Sequence, residues 1–188
     1  MKKIAILASG EGTNAERIIR YFAERKTAEV ALVITNKMQA GVLKRANRLG
    51  IQSVIITAPE FAEGEALRVL HRHGIDFVVL AGFLLKVPED ILHDYPHRIV
   101  NIHPALLPKF GGKGMYGEHV HWAVINAGEK ESGITIHYIN EQYDEGSIIF
   151  QASCPVLPED TADTLAQRVH ELEYAHYPEV IEKIVLSE

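Results

Sequence analysis

The chain is poor in features that would assign it to a compartment or a partner. It has a single cysteine, Cys154, so it can form neither an internal disulfide nor a CxxC metal or redox site. That residue reads as a small buried apolar side chain. No apolar run approaches the roughly 20 residues of a membrane span; the longest uncharged apolar run is Phe77 to Leu85. Ile4–Ala8 behind Met1-Lys2-Lys3 resembles the start of a signal peptide, but Glu11 ends it too early, and a first buried strand explains it better. Positive charge is in deficit: 19 Lys and Arg against 25 Asp and Glu give a net charge of −6. That argues against binding nucleic acid through bulk charge. No low-complexity linker or internal repeat is present. The expected protein is cytoplasmic, with neither membrane nor nucleic acid as a partner.

The 188 residues, 47% apolar and 23% charged, suit one globular domain with a sizeable core. Short apolar runs alternate with helical patterns. Strands are expected at Ile4–Ala8, Val30–Thr35, Ser53–Thr57, Phe77–Ala81 and Arg98–His103. Helices are expected at Asn14–Arg25, Gly41–Leu49, Ala66–Arg72, Pro88–His93 and Val120–Ala127. This alternation predicts an α/β fold, a doubly wound and mostly parallel sheet with helices on both faces. Gly133–Asn140 and Ser147–Val156 read as a C-terminal antiparallel hairpin. A long helix from Thr161 to about Leu186 follows, with Leu165, Val169 and Leu172 inward and a bend at Pro178. Pro104–Glu118, with four glycines, reads as loop.

Gly10-Glu11-Gly12-Thr13-Asn14 joins the first strand to the first helix. A helix N-terminus offers outward backbone N–H groups and partial positive charge, which suit a phosphate. The pattern is neither a dinucleotide fingerprint, since Ala15 stands where the third glycine would fall, nor a P-loop, since no GK[ST] follows. It reads equally as a plain connection.

Asn101 and His103 share one face of a strand and sit at its carboxyl end, where open α/β sheets bind ligands. An amide beside an imidazole can donate hydrogen bonds to an oxygen gaining charge in acyl transfer, although a histidine at a strand end is more often structural. Asp144 reads locally as a turn aspartate before Gly146; folded against His103, it would orient the ring. Thr135 and His137 share a strand face and read either as supports or as packed polar residues. His119 and His121 on a helix would point apart, without a third ligand at a recognisable spacing, so no metal site is expected.

Gly10–Asn14, Leu80-Ala81-Gly82-Phe83, Asn101-Ile102-His103-Pro104-Ala105-Leu106-Leu107-Pro108 and Tyr143-Asp144-Glu145-Gly146 together resemble the folate-dependent formyltransferases. Within them, the glycine turn and short length resemble the phosphoribosylglycinamide formyltransferases (GAR transformylases). The resemblance runs from about residue 3 to 184. It implies the formyltransferase fold and transfer of formyl from 10-formyltetrahydrofolate to the amine of glycinamide ribonucleotide, with no metal, by a monomer or homodimer.

The resemblance also assigns residues. Asn101, His103 and Asp144 match the catalytic trio. Gly12, Thr13 and Asn14 match the turn holding the substrate phosphate, and Glu173 matches a contact to the ribonucleotide. Leu84, Leu85, Lys86 and Val87, with Asn140, Glu141, Gln142 and Tyr143, match the folate-pocket segments. One domain over 1–188 is then expected, with a nucleotide- and phosphate-binding half at 1–100 and a catalytic, folate-binding half at 101–188. Without the family, Glu173 reads as a solvated helix carboxylate. The length leaves no room for the extra domains of methionyl-tRNA formyltransferase or formyltetrahydrofolate deformylase. The loop after Lys109 is longer than the family norm, and Leu85, followed by Lys86, replaces a frequent basic residue. The alternatives are a formyltransferase for another amine, or a non-catalytic folate or nucleotide binder.

Overall fold

The computed structural model describes residues 1–142 and 144–187. Among them are seven strands: β1 (Lys3–Leu7), β2 (Glu29–Thr35), β3 (Ser53–Ile55), β4 (Phe77–Leu80), β5 (Ile99–His103), β6 (Glu131–Tyr138) and β7 (Ile148–Pro155). The helices are α1 (Thr13–Arg25), α2 (Gly41–Arg48), α3 (Ala58–Ala62), α4 (Glu65–Arg72), α5 (Glu89–Asp94), α6 (Glu118–Asn126) and α7 (Ala162–Ser187). The sheet order is β3-β2-β1-β4-β5-β6-β7. The chain divides into two compact units, Met1–Val100 with Pro178–Glu188, and Asn101–Tyr177.

In the first unit, β1 pairs in parallel with β2 on one side and β4 on the other, and β3 extends the sheet beyond β2. Every residue of β4 is buried, as its unbroken apolar sequence requires of a strand covered on both faces. The chain runs outward through β2 and β3, then returns to the far side of β1. The carboxyl ends of β1 and β4 therefore flank a topological switch point, the place where such sheets take ligands. Ser9 ties these ends together: its N–H donates to Gly82 O at 3.0 Å, and its hydroxyl accepts from Leu84 N at 3.0 Å.

Two expectations need correction. The third strand stops at Ile55 rather than Thr57, because Thr57 starts helix α3. The Glu60 carboxylate accepts from both the Thr57 N–H (2.7 Å) and its hydroxyl (2.8 Å), and this local cap competes with strand extension. On α7 the buried line is Leu165, Val169, Glu173, Tyr177 and Ile181, spaced by four, whereas Leu172 is half-buried. Glu173 is thus not a solvated carboxylate but lies in the helix's apolar stripe.

In the second unit, β6 and β7 form the antiparallel hairpin. The register slips between Ile136 and His137, which pair with Phe150 and Ile148. Passing over one residue in this way makes a bulge and re-aims the strand end. A Cβ on Gly146 would run into the Tyr138 carbonyl, so only glycine closes the turn that carries Asp144.

The last turns of α7 are tied to α1 through Glu182. Its carboxylate accepts from Tyr21 Oη (2.6 Å), Thr27 Oγ1 (2.7 Å) and the Arg25 guanidinium (3.2 Å). The Tyr21 and Thr27 hydroxyls, with Arg25, hold its pKa down at about 2, from an ordinary 4.5. A depressed carboxyl contributes stability above its unfolded pKa and loses it as pH falls through the folded value. Glu182→Gln should therefore cost about 1–3 kcal/mol at pH 7, measured by urea unfolding. The gap between the two proteins should close between pH 4.5 and about 2.

Candidate active site

The glycine turn follows β1. Gly12 caps α1 with φ of 77°, and a Cβ there would lie 2.6 Å from the Val42 side chain and 2.7 Å from Val42 Cα. Both the left-handed backbone and the closeness of α2 require glycine. Gly10 O accepts from Val42 N at 3.1 Å, and Glu11 O from Arg45 Nε at 2.7 Å. The loop's carbonyls are thus drawn toward α2. The first helical amide with an intrahelical acceptor is Glu16 N, on Gly12 O at 2.9 Å, so those of Thr13 and Asn14 point out of the helix end. The Glu16 carboxylate gathers Arg20, Arg45 and Arg48; the bonds from Arg45 and then Arg20 hold its pKa down at about 2.

Leu84 to Val87 follow β4 beside this turn. Leu84 and Lys86 are exposed, Leu85 is half-buried and Val87 is buried. In the second unit Asn140, Glu141 and Gln142 are exposed, with Asn140 Oδ1 accepting from Gln142 N at 2.9 Å. Tyr143 lies outside the described residues.

Asn101, His103 and Asp144 do come together, around a second histidine. His137 is fully buried, and burial pushes its pKa down despite a backbone partner, so at neutral pH the ring is uncharged. Its Nδ1 lies 3.0 Å from the Tyr138 carbonyl. A carbonyl only accepts, so Nδ1 carries the hydrogen and Nε2 the lone pair. Asn101 Nδ2 sits 3.3 Å from that lone pair, which turns the amide's donor side toward the cluster. Asp144 Oδ1 is 3.6 Å from His137 Nε2; acceptor faces acceptor there, so this contact is not a hydrogen bond.

His103 is 3% exposed. Its Nδ1 lies 3.5 Å from Asp144 Oδ2, an ion pair when the ring is protonated. Its Nε2 lies 2.7 Å from the carbonyl of Phe110. Asp144 Oδ2 in turn accepts from Gly112 N at 2.9 Å. Phe110 and Asp144 both occupy the left-handed region, with φ of 57° and 55°, which is uncommon outside glycine and concentrates at functional sites.

The strand end is braced from β6 and β7. Thr135 Oγ1 donates to Ala105 O (2.7 Å) and accepts from Leu107 N (3.0 Å) and Gln151 Nε2 (2.9 Å). Gln151, directly opposite on β7, also donates to Leu107 O at 3.0 Å. The segment just after His103 is thereby held by a hydroxyl with its full complement of partners.

Glu173 is buried and accepts from His170 Nδ1 at 2.9 Å, and this carboxylate raises the His170 pKa. His121 is buried beside these charges, and burial lowers its pKa. His119, two residues earlier, is exposed.

The sequence of the family described as formyl transferase matches residues 2–181. The chain belongs to the formyl transferase family. It is 40% identical to the chloroplastic phosphoribosylglycinamide formyltransferase of Arabidopsis thaliana, over 96% of this chain and 64% of that protein. It is 36% identical to the phosphoribosylglycinamide formyltransferase of Bacillus subtilis, over 98% of this chain and 95% of the relative. The crystal structure of glycinamide ribonucleotide transformylase 1 from Symbiobacterium toebii superposes with a TM-score of 0.90 at 35% identity, covering 97% and 86% of the two chains. The chain therefore spans less than two-thirds of the plant relative and nearly all of the bacterial one.

The main-chain groups of Phe110 and Gly112, and the side chain of Gln151, escaped side-chain motif reading. The Gly111-Gly112 doublet and the hairpin register are the signals that point to them. Thr135→Val should strand a buried N–H and a buried carbonyl and cost about 2–4 kcal/mol, read as a lower denaturation midpoint with an unchanged m-value.

Proposed function

We propose that this chain transfers the formyl group of 10-formyltetrahydrofolate to the amine of glycinamide ribonucleotide, a step of purine biosynthesis. The observation that carries the reading is the convergence of Asn101, His103 and Asp144 at the end of β5, in a formyl transferase whose relatives are named phosphoribosylglycinamide formyltransferase. The folate supplies an activated formyl group on a nitrogen that can leave.

Asn101 Nδ2, directed by the neutral His137, and the His103 imidazolium donate to the formyl oxygen as it gains charge. Preorganised donors of this kind act where the charge develops and need no reorganisation. Asp144 pairs with the protonated His103 and holds the ring. The incoming amine loses a proton and the departing folate nitrogen gains one, so the transfer balances without a covalent enzyme intermediate. Gly12, Thr13 and Asn14 at the α1 N-terminus bind the substrate phosphate, and Glu173 contacts the ribonucleotide. Leu84–Val87 and Asn140–Gln142 are assigned to folate contacts. On this reading the protein works in the cytoplasm as a monomer or homodimer, on small molecules alone.

The direct test is incubation with both substrates while tetrahydrofolate formation is followed. Turnover is expected with glycinamide ribonucleotide; turnover only with another amine would replace the acceptor. Asn101→Ala should lower kcat about 100- to 1,000-fold. Asp144→Asn should keep its circular dichroism spectrum and lose most turnover; near wild-type kcat would remove Asp144 from the mechanism.

A further inference from the structure

The loop after β5 has an order that packing alone does not explain. Over three residues it touches both members of the His103–Asp144 pair through main-chain atoms. The Phe110 carbonyl is on His103 Nε2, and the Gly112 N–H is on Asp144 Oδ2. The oxygen held by Gly112 is the one facing His103 Nδ1. Between the two contacts lies Gly111, where a Cβ would stand 2.5 Å from Leu107 Cδ2 and 3.2 Å from Asp144 Cβ. The segment lies so close to the Leu107 and Asp144 side chains that a methyl group would press on both. Phe110 accepts a left-handed backbone to aim its carbonyl at the ring, and Asp144 accepts one to aim its carboxylate. Strained backbone conformations of this kind persist only where surrounding contacts over-determine them.

We propose that Phe110, Gly111 and Gly112 are positioning residues: a main-chain brace that pins the His103 proton to Nε2 and leaves Nδ1, facing Asp144, as the nitrogen that meets the reacting oxygen. The chemistry follows from the partners. A carbonyl has no hydrogen to give, so a bond at 2.7 Å requires the hydrogen on Nε2. In the neutral ring the lone pair then falls on Nδ1, and the second proton of the imidazolium is taken up and released there. Nδ1 and Asp144 Oδ2 are 3.5 Å apart, longer than a good charge-assisted hydrogen bond. A substrate oxygen can therefore share the Nδ1–H instead of competing with a closed pair. The Gly112 N–H occupies one lone pair of Oδ2 and fixes the carboxylate's rotation.

The brace concerns the free protein, so its first test is independent of the activity proposed above; only the kinetic arm rests on that reading. In 15N–1H correlation spectra of the full chain labelled at histidine, the neutral His103 ring should be a single Nε2–H tautomer whose proton exchanges slowly with water. A mixture of tautomers, or an Nδ1–H ring, overturns the proposal. Gly111→Ala should speed exchange of the Nε2 proton at least about tenfold and lower kcat about 10- to 100-fold, the scale of a misplacement near 1 Å. KM for both substrates should stay within about threefold, since the brace orients the reacting group and not the ligands. Phe110→Gly, which lets the carbonyl leave its aim without adding bulk, should speed the exchange in the same direction and serves if the alanine variant does not fold. Wild-type exchange in a folded variant overturns the brace. A pinned tautomer in a protein without formyl transfer would instead sink the activity and leave the brace standing.

Discussion

The buried His103 imidazole faces a protein acceptor at each nitrogen, and the geometry of the candidate site depends on those two contacts. The ring is 3% exposed, so water cannot complete its hydrogen bonding and the protein must. One partner is a carbonyl from a loop seven residues later, and the other is a carboxylate from the turn between β6 and β7. Each sits on a residue with a left-handed backbone, and each is supported in turn. Gly146 lets the Asp144 turn close against Tyr138, and the absent Cβ of Gly111 lets the loop lie against Asp144. Thr135 and Gln151 hold the chain between them.

The first unit solves a different problem with a more general device. A parallel sheet whose order reverses at β1 has a switch point at its strand ends, where such sheets take ligands, and the glycine turn follows β1 there. Gly12 is fixed by backbone conformation and by the approach of Val42. The outward amides of α1 are therefore set by the fold and not by side chains, which suits an anion. Ser9 couples this turn to the end of β4, so the glycine turn and Leu84 are neighbours although far apart in the chain.

What the sequence made legible follows the same division. Strand and helix alternation, the glycine turn and the Asn101–His103 face were readable because periodicity and chain position carry them. Asp144 was not separable from an ordinary turn residue by local pattern, since its role arises only when the hairpin folds it onto β5; the family resemblance singled it out. Thr135 and His137 stayed ambiguous because burial and partners decide their roles, and neither is local. Glu173 was misread from its own helix because a carboxylate in an apolar stripe breaks the usual amphipathic pattern; it is buried there with His170 as a partner. The α3 helix was missed because Thr57 and Glu60 form a cap that a run of strand-favouring residues conceals. Phe110 and Gly112 act through their main chain, for which side-chain motifs have no symbol.

The central claim is that the reacting oxygen meets Asn101 and the Nδ1 side of His103, the side that Asp144 also faces. A crystal structure with glycinamide ribonucleotide and an unreactive analogue of the formyl folate tests it most directly. The formyl-equivalent oxygen is predicted within about 2.7–3.1 Å of both Asn101 Nδ2 and His103 Nδ1, with Nε2 still on the Phe110 carbonyl. An oxygen beyond reach of both donors, or a ring turned so that Nε2 faces the ligand, would contradict it.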